Sequence, residues 1–440
     1  MLRPARCSFV SRGKTLRGDD DADGPVLQPM PTRHFRKLLA HLAAALALVL
    51  PASAVQSQSA WNYIDVGQLD GTFVGPTSRR GSAITTGELI TAGGGFDVFN
   101  YGGSSIYDLG SLGTGASETF YVNALGEVAG QTPGSSGSAF YFAGGNAARI
   151  GTLGGSGSYV TGMNATGEVI GYSDRAGNVA THAFAYTSGS LIDIGTLGGS
   201  NSVATAINAS GQIAGSAYLS GDAASHAFVY SNGSIRDLGT LGGNNSSATA
   251  INAAGQVVGS SYTSGNAANH AFLYSAGNLS DLGTLGGSFS TAIGINASGL
   301  VIGNSYAAGD AATHAFMYSG GTMKDLGTLG GTNSFALGVN SLGQVIGLSD
   351  VAGNRGQHAF LYSAGRMIDL DSPFAGITNF FAAGINDAMQ IIGYGMTGTG
   401  LRRAFIISAV PEAPAGLGMF AGMLVLVALA RRRVQHRGMP

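Results

Sequence analysis

The chain has 440 residues, 73 of them glycine, with 44% hydrophobic and only 10% charged residues. So little charge excludes a disordered polyelectrolyte, and glycine at about one residue in six excludes collagen, which needs one in three. The formal net charge of −2 gives no electrostatic reason to bind nucleic acid, which is excluded as a partner.

Residues 1–29 combine scattered arginines with the acidic run Asp19-Asp20-Asp21. They read as an untranslated or disordered extension, with Met30 as the natural start. Arg33-His34-Phe35-Arg36-Lys37 then precedes the apolar run Leu38 to Leu50, and Ala52-Ser53-Ala54 follows. That run is short for a membrane span, which needs about 20 residues, and right for the apolar segment of a signal peptide ending in a small-residue cleavage site. Residues 30–54 are therefore expected to direct export; a buried core helix is the alternative, and the basic flank argues against it. The single cysteine, Cys7, lies in the extension, so the exported chain must stand without disulfides.

The body, residues 61–409, repeats itself. His182-Ala183-Phe184 recurs at His226, His270, His314 and His358, always 44 residues on. Asp193, Asp237, Asp281 and Asp325 open Asp-Leu(Ile)-Gly-Thr-Leu-Gly-Gly motifs in the same step, and Asp369 opens a broken copy. Asn164, Asn208, Asn252, Asn296 and Asn340 begin Asn-x-x-Gly turns at the same interval. Self-similarity at this period marks a repeat architecture.

One unit predicts four strands. Ser247–Ile251 leads through Asn252-Ala253-Ala254-Gly255, a type I turn pattern, into Gln256–Tyr262. A turn at Ser264-Gly265-Asn266 precedes Ala271–Ser275, where Phe272 and Tyr274 share a face. Ala276-Gly277-Asn278 leads to Leu279–Leu285, ended by Gly286-Gly287; the preceding unit has Asn232-Gly233, a strong hairpin signal. Four short antiparallel strands repeated every 40 to 50 residues make the β-propeller pattern. Seven complete units are counted on Asp108, Arg149, Asp193, Asp237, Asp281, Asp325 and Asp369. The remainder is one fourth strand at the start, Tyr63–Leu69, and three strands at the end, Phe380–Ile385, Gln390–Gly395 and Ala404–Ser408. Together they predict an eighth blade that mixes the two ends and removes the free edges. A parallel β-helix and a transmembrane barrel fit the hairpin turns and strand patterns less well. The body resembles the HAF-repeat proteins, a group of predicted extracellular bacterial proteins named for the His-Ala-Phe triplet. The resemblance implies an extracellular repeat protein and no particular activity.

After the body, Pro411-Glu412-Ala413-Pro414 precedes the apolar stretch Leu417–Ala430, closed by Arg431-Arg432-Arg433. Its 14 residues span about 21 Å as a helix, and flanking turns with snorkelling arginines extend that toward a transmembrane helix. Residues 410–440 resemble the PEP-CTERM sorting signal of Gram-negative bacteria, although Ala413 stands where the second proline of the tripeptide belongs. The resemblance implies membrane insertion before processing, an exosortase-type processing enzyme as partner, and delivery to the cell envelope, cell surface or matrix. A plain C-terminal anchor is the alternative.

The repeat histidines His182, His226, His270, His314 and His358 are the obvious chemical candidates. Five copies in register cannot converge on one ion, which needs ligands near 2 Å, and a catalytic histidine is needed once. They read as structural, each fixing the loop before its strand by a bond to the backbone. The repeated aspartates read as turn caps or as partners of a neighbouring blade. No calcium-loop spacing, nucleophile elbow or His-Glu-x-x-His motif is present, so no cofactor, metal or catalytic residue is predicted. The irregular segments 70–105 and 370–400 hold Phe374, Phe380 and Phe381, either core or an exposed patch that stacks on sugars. The functional expectation is a non-catalytic binding or structural module, with exopolysaccharide as partner. The alternative is an envelope enzyme acting on glycans, with carboxylates such as Glu88, Glu118 or Asp387.

Overall fold

The computed structural model describes residues 120–409 apart from 124, 133–136, 145, 372–376 and 399–401, together with the backbones of five strands between 61 and 111. The signal-peptide and sorting-signal readings, residues 1–54 and 410–440, with Cys7, Pro411, Glu412, Pro414, Arg431, Arg432 and Arg433, lie outside the described residues.

The described strands pair antiparallel in sets of four, seven of them meanders of consecutive strands. They form six four-stranded sheets and one of eight strands. The eight-stranded sheet is two meanders, 242–283 and 286–325, joined by a single parallel bridge between Asn269 and Phe289. In the fourth strand set, Gly198–Ile207, Ile213–Leu219, Ser225–Ser231 and Ser234–Asp237 follow in order. The first strand is longer than the sequence predicts because a bulge absorbs its opening residues. Gly242–Ile251 has register shifts between Gly242 and Ser246 and between Ala248 and Ala250. Gly286-Gly287 does not end a fourth strand; it starts the next first strand, Gly286–Ile295. Gly286 takes φ +102°, which a side chain resists.

Turn chemistry sets each unit. Asn232 and Gly233 have φ of +52° and +78°, as a type I′ hairpin requires, and Ala276-Gly277 and Ala364-Gly365 repeat it with alanine first. At the first turn, Asn252 accepts bonds at Oδ1 from the amides of Ala254 and Gln256, at 3.1 and 3.0 Å. Its Nδ2 donates to the Asn296 carbonyl of the next unit at 3.1 Å. Asn164, Asn208, Asn296 and Asn340 do the same toward Asn208, Asn252, Asn340 and Asn386. One residue thus shapes a turn and ties two units. At 4–7% exposure, the asparagines make these bonds away from competing water.

The core explains the triplet. Phe184, Phe228, Phe272, Phe316 and Phe360 are fully buried. Each stands opposite a glycine of the second strand: Gly171, Gly215, Gly259, Gly303 and Gly347. A Cβ on Gly215 would run into the Val203 carbonyl oxygen and lie 2.7 Å from the Phe228 ring. The ring occupies the space that the missing side chain leaves. The alanine of each triplet is also fully buried. A bulge in the last strand pair leaves its amide to the following unit: Ala183 N–H donates to Ser202 Oγ at 2.8 Å, and Ser202 donates to the Gly195 carbonyl at 2.6 Å. Ser246, Ser290 and Ser334 repeat this.

The two ends of the repeat body share a sheet. Trp61–Asp65 pairs with Arg402–Ala409, followed by Gln390–Thr397 and Ile377–Ile385. The strand lies two residues earlier at its start than Tyr63–Leu69, and Asp65 faces Phe405 as Asp237 faces Phe228. Trp61 is the register partner of Ala409.

Candidate functional site

Five units present the same His–Asp pair at one rim, where first strands begin, second strands end, third strands begin and fourth strands end. The repeat histidine is the second residue of its third strand. Its Nδ1 meets the aspartate of the fourth strand, 11 residues on, and not a backbone group of the preceding loop. His182–Asp193, His226–Asp237, His270–Asp281 and His358–Asp369 are 2.9 Å apart, and His314–Asp325 2.7 Å. The aspartate pairs within its own unit and also caps a turn. Asp193 Oδ1 accepts the Gly195 amide at 2.8 Å, and Asp237, Asp281 and Asp325 accept those of Gly239, Gly283 and Gly327 at 2.7 Å. The carboxylate thereby locks the fourth strand to the third and fixes the imidazole's orientation. His182 is the most enclosed, with an 11% exposed side chain, and has Arg175 3.8 Å from its aspartate.

The fifth copy departs. Asp371 replaces the glycine two residues after Asp369, and its amide donates to Asp369 Oδ1 at 2.9 Å. His358 therefore lies between two carboxylates, with Nε2 3.9 Å from Asp371. Asp371 Oδ1 accepts the Phe380 amide at 3.0 Å, across to the sheet that holds Trp61–Asp65. Burial, reinforced by the charge of Asp369, pushes its carboxyl up to about 6, against the opposing effects of His358 and the amide bonds. Motif breakage after Leu370 is the sequence signal for this site, but its meaning needed the fold.

Beside the histidines stands a second repeated set. Tyr218, Tyr262 and Tyr306 are the penultimate residues of their second strands, and their Cβ atoms lie over Gly199, Gly243 and Gly287, the second glycines of Gly-Gly. Over the same glycines stand Asp222 Oδ1, Asn266 Oδ1 and Asp310 Oδ1. Asp222 accepts both the amide and the hydroxyl of Ser200 at 2.7 Å, and Asp310 treats Ser288 identically. Those bonds, the hydroxyl's first, hold both carboxyls below the usual carboxylate range. These tyrosines carry no distinct signal in the sequence, because their alternation with Ser and Gly is that of an ordinary strand.

Of the irregular segments, Phe380 is core at 2% exposure and belongs to no exposed patch. Phe381 is half-buried and stacks on Tyr394, ring centroids 5.1 Å apart. Asp387 accepts the Ser341 amide at 2.8 Å, at the opposite rim. Phe374 and Glu118 lie outside the described residues, and Glu88 is described in backbone only, within Ile84–Thr91. Among the described residues, no group of three or more His, Cys, Asp or Glu is placed to hold a metal ion, and no helix is long and apolar enough to cross a membrane.

No family model matches the chain, and no curated protein matches it. Solved structures similar to it include the β-propeller domain of the trilobed protease from Pyrococcus furiosus, with 8% identity, TM-score 0.44, and 69% of this chain and 98% of that chain covered. Dipeptidyl peptidase 4 from Porphyromonas gingivalis has 10% identity and TM-score 0.46, covering 72% of this chain and 57% of that one. TolB from Acinetobacter baumannii has 10% identity and TM-score 0.33, covering 71% and 59%. These likenesses assign the chain no activity.

Proposed function

We propose that the chain is an exported, eight-bladed β-propeller that acts as a non-catalytic binding module for polysaccharide at the cell envelope or in the extracellular matrix. Support for the ring comes from the order of packing. Each first strand lies on the preceding sheet, and Gly71–Pro76 lies on Gln390–Thr397 and Arg402–Ala409 of the last. The mixed sheet is then the eighth blade, and the body is a HAF-repeat propeller.

The observation that carries the functional reading is the rim. It presents the His–Asp pair in five successive units and a tyrosine in three of them at the 44-residue interval, and a partner that is itself periodic matches such a surface. A single-site substrate would use one copy. The pairing of Trp61 with Ala409 adds an orientation. Trp61 and Ala409, where the two flanking segments join the body, lie at the rim opposite the His–Asp pairs. A chain held by residues 410–440 as a PEP-CTERM-like segment, before an exosortase-type enzyme acts at Pro411, Glu412 and Pro414, turns the His–Asp rim outward.

A glycan array probed with residues 61–409 tests the reading: binding to polymeric glycans is expected, and no binding to any glycan removes it. Fractionation of the full chain tests the address, with the protein expected in envelope or extracellular fractions and sorting expected to fail when Arg431, Arg432 and Arg433 become alanine.

A further inference from the structure

Three successive units place a tyrosine Cβ and a polar cap over the same glycine. Tyr218 with Asp222, Tyr262 with Asn266, and Tyr306 with Asp310 all flank the second glycine of a Gly-Gly pair. Glycine is needed there because a Cβ on Gly199 would lie 2.5 Å from Asp222 Oδ1 and 2.7 Å from the Tyr218 Cβ. Tyr218 and Tyr262 are 40% and 38% exposed, and Tyr306 is half-buried, its ring centroid 5.2 Å from that of Phe289. Sheets packed face to face lie about 10 Å apart, so the rings recur at a spacing close to that of a disaccharide unit.

Charge separates the two rims. Between 121 and 408 the chain has thirteen Asp and Glu and eight Arg and Lys. By strand position, ten of the acidic and five of the basic residues fall at the His–Asp rim, a formal −5 with histidine neutral; elsewhere three oppose three. An anionic polymer is repelled from such a rim, and a cationic one is drawn to it.

We infer that the Tyr218–Tyr262–Tyr306 row is a binding surface for a polysaccharide that carries free amino groups. The rings pack on the apolar faces of the sugars, and Asp222, Asp310 and their neighbours receive the ammonium groups. This rests on the polysaccharide reading above and adds which rim binds and which charge class is taken.

The test uses residues 61–409 with three probes, measured by calorimetry at low salt: a glucosamine hexamer, an N-acetylglucosamine hexamer and a uronate hexamer. The glucosamine hexamer is expected to bind, with affinity falling as salt rises. The Tyr218→Ala/Tyr262→Ala double variant is expected to raise its Kd about tenfold. Asp222→Asn/Asp310→Asn is expected to raise it about threefold at low salt and not at high salt. That pair keeps the turn, since Asn178, Asn266 and Asn354 fill the same role in other units. Leu342→Ser, at an exposed position of the opposite rim, is expected to change nothing. Equal binding of the acetylated hexamer, or binding of the uronate, overturns the inference. So does glycan binding that the tyrosine variant leaves intact with an unchanged melting temperature, although the broader reading then stands. If the array shows no glycan binding, both fall.

Discussion

A second-strand glycine and a third-strand phenylalanine make one residue-scale decision in every unit. Burying a phenylalanine is worth about 1.5–3 kcal/mol, and the ring can lie flat only because the residue opposite has no Cβ. Phe272→Ala is therefore expected to lower unfolding free energy by about 3–5 kcal/mol. Gly259→Ala should also destabilise strongly, because the new methyl meets the Ser247 carbonyl oxygen, which belongs to backbone and cannot turn away. Denaturant titration of both variants checks this. Asp371 supplies a pH prediction. Its folded value of about 6 lies above the ordinary carboxyl value of 3.8, so its contribution to stability is complete below about pH 4 and disappears as pH rises through about 6. Asp371→Asn keeps an acceptor for the Phe380 amide without the charge. It should flatten the stability profile between pH 4 and 6 and raise stability at pH 8, by about 2–3 kcal/mol at most. Thermal melts across pH read this directly, and unchanged slopes would refute it. The His-Ala-Phe triplet was visible as a repeat in sequence. Its three separate jobs, binding the fourth-strand carboxylate, handing an amide to the next sheet and covering a glycine, were not, because each partner lies 11 to 19 residues away or on the facing strand.

Among the elements, hairpins and turns were legible because backbone conformation at two residues is a local matter. Asn232-Gly233 announced its turn, while Ala276-Gly277 adopts the same conformation with only the glycine as a signal. The first strand was legible only in its second half. Gly286-Gly287 looked like a terminator, but the glycines open a strand whose bulge is set by packing on the sheet before it. The bridge between Asn269 and Phe289 has a similar origin. Asn201, Asn245 and Asn333 accept the amides of Thr181, Ser225 and Thr313 through Oδ1 at 2.8, 2.8 and 3.0 Å. Phe289 has no such oxygen, and the two backbones pair instead. At this scale the asparagine turn gives the sharpest expectation. Asn252→Ala removes the acceptor for two amides and the donor to Asn296, and leaves those groups enclosed. A loss of about 2–3 kcal/mol is expected, with hydrogen exchange accelerated at Ala254 and Gln256 and in the following unit. Exchange confined to the mutated turn would show that the link between units carries no energy.

For the whole molecule, the two ends of the repeat body meet in one sheet, with Trp61 beside Ala409. Ser231 and Ser234 are partners in the same way across Asn232-Gly233. A permuted chain in which Ala409 runs through Asn-Gly into Trp61, reopened between residues 66 and 70, should therefore fold with native circular dichroism and a melting temperature at least as high as the parent's. Linking the ends turns a long-range closure into a local hairpin, which lowers the entropy lost on folding. A permutant that fails to fold would mean that the mixed sheet is not formed in solution.

The sequence by itself determined the 44-residue period, the four-strand unit and the complementary fragments at the two ends, because turn geometry and strand alternation are encoded within a few residues. The tertiary structure decided the rest: which carboxylate the histidine meets, why the alanine amide needs the next sheet's serine, and that Phe380 is core. It alone brought the tyrosines and aspartates to one rim. Those outcomes depend on groups from different strands and different units occupying the same space, and no local pattern along the chain records that neighbourhood.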